Sequence, residues 1–284
     1  MATSNREILK FIGGRISHLL SPHSQSLDWF HNFAKLHDLY LYEFNSKKDD
    51  GRRASKGILD YLDTNSISIG SVLDLPCGIG RISQGFLEKG IKVTGVDISE
   101  PFLEEYGKLA AKMGKLSGLE LVHASFKSFL PELRGKKYGL ILNWWTSFGY
   151  STYEDDVEFF RNLLSVAHEN TLLIVETWHR DYILKHKIST AFKDLGEVAV
   201  VNENSFLDNC STVYTTHKYY QKSGKDLIYR DQFDSSIRLY SRDELLDLFH
   251  ESGWEMQDTF NSMEKREEFN TDKDRIVLIL QPRK

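Results

Sequence analysis

Apolar residues recur at helical spacing from the start of the chain. Ile8, Leu9, Phe11, Ile12, Ile16, Leu19 and Leu20 share one face before Pro22. A second amphipathic run carries Leu27, Trp29, Phe30, Phe33, Leu36, Leu39, Tyr40 and Phe44, and a third covers 53–62. Past Ser66 the period changes. Short apolar runs at 72–75, 92–97, 119–123, 138–143 and 172–176 alternate with amphipathic stretches at 81–89, 101–113 and 153–168. Runs this short, bounded by turn residues, predict buried strands; their alternation with helices predicts a parallel sheet covered on both faces. Ser99 stands where it can cap the second of these helices, with Pro101 in its first turn.

From 178 to 240 the character shifts again. Segments 198–201, 212–220 and 227–233 read as strands, and Lys222-Ser223-Gly224-Lys225 joins the last two as a hairpin turn. Ser241-Arg242-Asp243-Glu244 is a capping box opening a helix that Gly253 ends, and closing strands follow at 254–260 and 275–281. No repeat or flexible linker interrupts this. The expected organisation is a helical cap over 1–66 and a core domain over 67–284, interrupted by an antiparallel insertion at about 179–240. The expected fold class is α/β, a doubly wound, mostly parallel seven-stranded sheet.

The most informative stretch joins the first two strands. Val72-Leu73-Asp74-Leu75-Pro76-Cys77-Gly78-Ile79-Gly80-Arg81 is a strand, a glycine turn and a helix start, and the next strand ends in Asp97. Such a unit brings backbone N–H groups and a helix N-terminus to a ligand, and an acid closing the second strand can accept from both hydroxyls of a ribose. The loop is not a dinucleotide fingerprint, because Arg81, Ile82 and Ser83 follow Gly80 where a third glycine or alanine is needed. It is not a P-loop either.

The run 72–81 resembles motif I of the class I S-adenosylmethionine-dependent methyltransferases, with Pro76 where that family usually has its first glycine. Residues 138–150, with the acidic start Glu154-Asp155-Asp156, look like the motif IV region of the small-molecule members. The antiparallel insertion after the fifth strand is similar to a subgroup whose small sheet covers the active site. The resemblance implies a Rossmann-like methyltransferase fold and S-adenosyl-L-methionine as cofactor. It implies that Asp74, Pro76, Gly78 and Gly80 lie under the methionine part, Asp97 takes the ribose, and Ile98 packs on the adenine. Family members often have Gly-Asp after the third strand; here Ala124-Ser125 and Phe126 stand there, so Ser125 and Phe126 become the adenine-side candidates. Asn143 and Trp144 are expected at the methyl. Tyr40, Tyr42 and Arg52 could close over the cofactor carboxylate, as in a common family arrangement.

Composition narrows the acceptor. The chain has 284 residues with a formal net charge of −5, and acids flank most of its basic pairs. A nucleic-acid enzyme usually presents a basic surface. Asn143 is followed by Trp-Trp-Thr and not by the N-P-P-[YF] expected for an amino-purine or amide target. A small-molecule acceptor, methylated on oxygen or nitrogen, is therefore expected. The alternatives are an RNA or protein methyltransferase, and a non-catalytic nucleoside-binding protein of the same fold. The two cysteines, Cys77 and Cys210, make no disulfide or metal framework, so no metal is expected. No apolar run approaches a membrane span and the first residues lack a signal-peptide core, so a cytoplasmic setting is expected. Oligomeric state is left open.

Methyl transfer from a sulfonium needs alignment more than acid–base chemistry. If a base is used, His179 is the positional candidate, just past the fifth strand on the carboxyl edge where open α/β sheets hold ligands. Tyr150 follows it, then His217 on the insertion. Trp144, Trp145, Phe148, Tyr150 and Trp178 supply aromatic faces that attract a cationic sulfur and exclude water, or fill the core beneath the insertion.

Overall fold

The computed structural model describes residues 36–125, 127–206 and 211–284. The apolar runs before Leu36, Phe126 and Cys210 therefore lie outside the described residues. Two helices precede the sheet, α1 (His37–Ser46) and α2 (Lys48–Thr64). The second is longer than the expected 53–62 segment and buries Ile58, Tyr61 and Leu62.

Five strands then run parallel: β1 (Ser71–Asp74), β2 (Lys92–Asp97), β3 (Leu119–His123), β4 (Tyr138–Asn143) and β5 (Ala167–Trp178). Between them lie α3 (Gln84–Glu88), α4 (Glu100–Lys112) and α5 (Tyr153–Leu163). The first of these starts three residues later than the pattern suggested, because residues 81–83 are still in the glycine turn. Pro101 does open α4, but Ser99 makes no side-chain cap there; its backbone N–H is taken by Asp97 instead. A capping box of Thr152 and Asp155 opens α5.

After β5 comes α6 (Arg180–His186), then a separate antiparallel sheet of β6 (Thr190–Asp194), β7 (Val198–Phe206), β8 (Thr212–Ser223) and β9 (Asp226–Arg238), in that order. Neither α6 nor β6 was visible in the sequence. Residues 185–194 are rich in lysine and polar side chains, as suits an edge strand whose outer face meets water. The predicted capping box opens α7 (Arg242–Glu251) with both Ser241 and Glu244 bonds made. The chain closes with β10 (Trp254–Ser262), the two-residue β11 (Glu267–Glu268) and β12 (Arg275–Pro282).

The main sheet has the order β11-β10-β12-β5-β4-β1-β2-β3, with β12 and β10 antiparallel to the rest. It is the expected doubly wound sheet of seven strands, lengthened at one edge by β11. Side chains alternate across it. Leu73, Ile141, Leu173 and Leu278 pack on one face against Phe160 of α5 and Leu248 of α7. Val72, Leu142, Ile174 and Ile279 pack on the other against Ile58, Phe86 and Tyr106. The reversal of strand order at β1 and β4 opens a crevice at their carboxyl ends, where Asp74, Asp97 and Asn143 stand. Among the described residues no helix is long and apolar enough to cross a membrane.

Candidate active site

A cavity of about 620 Å³ lies over those strand ends, between the main sheet and the second one. Asp74, Pro76, Gly78, Asp97, Ile98, Ser125, Trp144 and Tyr150 all line it. Of the expected site residues, Gly80, Asn143 and His179 do not, and Phe126 lies outside the described residues.

The glycine loop is held from below. Asp97 is buried, and one carboxylate oxygen accepts the Gly78 N–H at 2.8 Å while the other accepts the Ser99 N–H at 2.8 Å. Burial pushes its pKa up to about 6, against the pull of those backbone donors. It is thus ionised at neutral pH and fixed in orientation, with lone pairs left for a ligand. Asp74 accepts from the Ser83 hydroxyl at 2.5 Å, and Ser83 is itself 2.7 Å from the Tyr106 hydroxyl. Burial pushes the Asp74 pKa up to about 7. Gly78 has φ 52°, and a Cβ there would stand 3.1 Å from the Phe44 ring of α1.

Gly80 needs correction as a ligand contact. It has φ 74° and a Cβ on it would stand 2.2 Å from the Tyr106 ring. Its bareness lets α4 close onto the loop, which is a packing demand.

Arg81 is the residue the motif contained but to which no role was given. It is 8% exposed and lines the cavity. Its guanidinium lies 4.3 Å from the Trp145 ring centroid and 5.2 Å from that of Phe44. Among the described residues no carboxylate stands within ion-pair distance of it. Burial lowers its pKa to about 10, so it stays cationic at neutral pH. Tyr40 lines the cavity in the same aromatic group, 5.1 Å from Phe44. Tyr42 and Arg52 point elsewhere, to Glu197 and Glu88.

The loop after β4 is fixed by two residues that no motif signalled. Glu176 accepts the Trp145 N–H at 2.8 Å and pairs with Arg275 at 3.1 Å. Arg275 also donates to the Thr146 hydroxyl at 2.9 Å and lies over Trp178. Trp145 and Thr146 have φ 64° and 56°, left-handed values that this buried pair holds in place. Asp156 fixes the far end of the loop, accepting from Gly149 N–H and from the Tyr240 hydroxyl.

Four further expectations change. Asn143 is fully buried and its amide donates to the Leu75 carbonyl at 2.9 Å, so it ties β4 to the glycine loop from behind. His179 is 0% exposed, with its ring 5.3 Å from Phe269 on the side away from the cavity. Trp178, one residue earlier, faces the cavity, and a one-residue step in extended chain reverses the face. His179 therefore cannot reach an acceptor there. Tyr150 does line the cavity, but its hydroxyl donates to the Thr146 carbonyl at 2.8 Å and burial raises its pKa, so it is a poor base. Ser125 is occupied locally, within 2.9 Å of the Ser128 hydroxyl.

The roof is the inner face of the second sheet. His217 lines the cavity, its ring stacked on Phe233 at 4.4 Å. Its nitrogens meet Asn202 Oδ1 at 3.1 Å and Ser235 Oγ at 2.9 Å. Burial lowers its pKa to about 4, so it is neutral at pH 7. Glu43 of α1, 4% exposed, clasps this sheet by accepting from Lys193 at 2.6 Å and from the Tyr219 hydroxyl at 2.8 Å.

Comparison with known proteins agrees with this geometry. Residues 72–170 match the family model described as a methyltransferase domain. A protein of Haemophilus influenzae described as uncharacterized is 34% identical over 129 residues, 43% of this chain and 45% of that one; the chain thus matches under half the length of that relative. The structure is similar to an S-adenosylmethionine-dependent methyltransferase from Clostridium acetobutylicum, with TM-score 0.74 and 18% identity over 89% of this chain and 99% of that one. It is also similar to the sugar N-methyltransferase KedS8 from Streptoalloteichus, with TM-score 0.64 and 12% identity over 87% and 93% of the two chains. Residues 72–170 thus match a methyltransferase-domain model, and the chain shares the fold of S-adenosylmethionine-dependent methyltransferases.

Proposed function

We propose that the protein transfers a methyl group from S-adenosylmethionine to an amine of a small molecule. The observation that carries this is the pairing of two unlike ends in one cavity. Asp97, Gly78 and Arg81 line one end, and the neutral polar face of the second sheet lines the other. The residues present fit the cofactor. Asp97 is an oriented, ionised acceptor suited to two ribose hydroxyls, and Ile98 offers an apolar side chain beside it. Arg81 is a buried cation that aromatic faces surround without neutralising, which suits the cofactor's carboxylate. Trp144 and Trp145 add aromatic surface for a cationic sulfur.

The cofactor, when bound, supplies a methyl group on positively charged sulfur. The protein's part is to hold the acceptor in line with it and to keep water out. No histidine base at position 179 is needed, and an amine that arrives uncharged requires none. An amine suits this cavity better than a phosphate-bearing acceptor, because Asp155 and Glu158 line it together with Lys127, while Lys193 is tied to Glu43. The kinship of fold with a sugar N-methyltransferase makes amino sugars the first acceptors to try. On this reading residues 67–284 form the methyltransferase unit, the segment at about 179–240 is its acceptor-side insertion, and the preceding helices are a cap.

Calorimetry with S-adenosylmethionine and S-adenosylhomocysteine, followed by transfer of radiolabelled methyl to pools of small amines and of tRNA, tests the proposal. Saturable cofactor binding with label entering small amines is expected. Absence of cofactor binding, or label entering only RNA, refutes it.

A further inference from the structure

The inner face of the second sheet carries two rows of polar side chains whose hydrogen bonds run in one direction. Asn202 stands opposite His217 in the β7–β8 register, and Asn204 opposite Thr215, which is opposite Ser235 on β9. Asn202 Oδ1 can only accept, so the imidazole nitrogen facing it at 3.1 Å, Nδ1, carries the hydrogen. Nε2 is then a bare lone pair, and Ser235 must donate to it across 2.9 Å. With its proton committed to His217, Ser235 Oγ presents only lone pairs to the cavity. Thr215 is committed in the same way, its hydroxyl donating to Asn204 Oδ1 at 2.8 Å. The Asn204 amide is in turn taken by the Ile188 carbonyl at 2.8 Å. Two hydroxyls on the roof are thus converted into acceptors, beside the apolar ring of Phe233.

Resting on the function proposed above, we propose that His217 is the residue that sets acceptor specificity, by fixing the Ser235 hydroxyl as a hydrogen-bond acceptor. The roof reads O–H or N–H donors on a ring whose apolar face lies against Phe233. The acceptor class is therefore a polyhydroxylated, amine-bearing ring, recognised by its free hydroxyl hydrogens. A neutral imidazole suits this task, because a protonated ring would turn Nε2 into a donor and reverse the Ser235 hydroxyl.

The test compares aminohexoses with their O-methylated counterparts, which keep every oxygen but lose the O–H donors, and includes cyclohexylamine as an amine without hydroxyls. Label transfer from S-adenosylmethionine is followed for the wild type, His217→Phe, His217→Gln and Ser235→Ala, with cofactor affinity measured in each. The wild type should favour the free hydroxyls by about tenfold or more in KM, roughly the loss of one buried hydrogen bond or more. In His217→Phe, which keeps an aromatic ring against Phe233, that preference should collapse while cofactor affinity changes less than about threefold. His217→Gln should restore part of it, and Ser235→Ala should resemble His217→Phe. A wild type that methylates the O-methylated sugars or cyclohexylamine equally well overturns the inference and leaves the proposed function standing. So does His217→Phe with an unchanged preference. A wild type that methylates no amine at all refutes the proposed function, and the inference falls with it.

Discussion

The two ends of the cavity solve opposite problems. At the floor, two charged side chains, Asp97 and Arg81, and the carboxyl of Asp74 are buried and held by short local bonds or by aromatic faces. At the roof, polar groups are neutral and satisfied by one another across three strands. A buried charge is tolerable only where its partner is certain to arrive. The floor is built for one ligand of fixed charge, whereas the roof, at lower cost, can be altered residue by residue. Fixed and variable recognition are therefore carried by different sheets.

The comparison breaks most severely if the roof is removed. Replacing residues 190–238 by a short linker should abolish turnover and leave cofactor affinity within a few fold. Loss of both in a still-folded protein would mean that the two ends are one unit. Next in size is Gly80→Ala, where the added carbon meets the Tyr106 ring at 2.2 Å. It should cost about 3 kcal/mol of stability, read as a fall in denaturant midpoint, because backbone and ring are both fixed.

Asp97→Ala should weaken cofactor binding by about 2–3 kcal/mol in calorimetry, as two hydroxyls lose a charged acceptor. The same carboxylate gives a pH signature. Its folded pKa is raised to about 6, so it accepts fully above that and loses acceptor strength as pH falls through it. Wild-type affinity should drop between pH 7 and 5, and Asp97→Asn should flatten that slope. Arg81→Met should cost about 1.5–3 kcal/mol of cofactor affinity with little change in fold, the worth of a hydrogen bond to a charged group. The smallest effect belongs to His179→Phe, which should keep turnover within about twofold. A hundredfold fall there would reinstate His179 as a base.

What could be read in advance follows from distance along the chain. Gly78 and Asp97 were legible because strand, turn and helix that bring them together are contiguous, and Ser241 with Glu244 because a cap is local. Glu176 with Arg275, and Glu43 with Lys193, were not, since the latter lie 150 residues apart and no periodicity connects them. His179 was misread for a different reason. The end of β5 was placed two residues short, at Glu176 where the strand runs to Trp178, and sequence position does not say which side chain of a neighbouring pair turns inward. Asn143 at its strand end and Gly80 in its turn were assigned to ligand contact when packing had already claimed them. Arg81 was quoted inside the motif and passed over, because only the fold reveals that aromatic rings flank it and that, among the described residues, no carboxylate reaches ion-pair distance.

Helix α1 has a consequence of a mechanical kind. Phe44 leans on the glycine loop, and one residue earlier Glu43 is buried against the roof. Pulling the roof off this helix would strip that carboxylate of two donors, the part-exposed Lys193 and the buried Tyr219, so the separation is costly. Any opening that admits an acceptor is therefore cheapest when helix and roof travel as a single rigid jaw. That jaw carries Phe44 away from the floor as it swings, so the gate for one substrate is also the latch on the other.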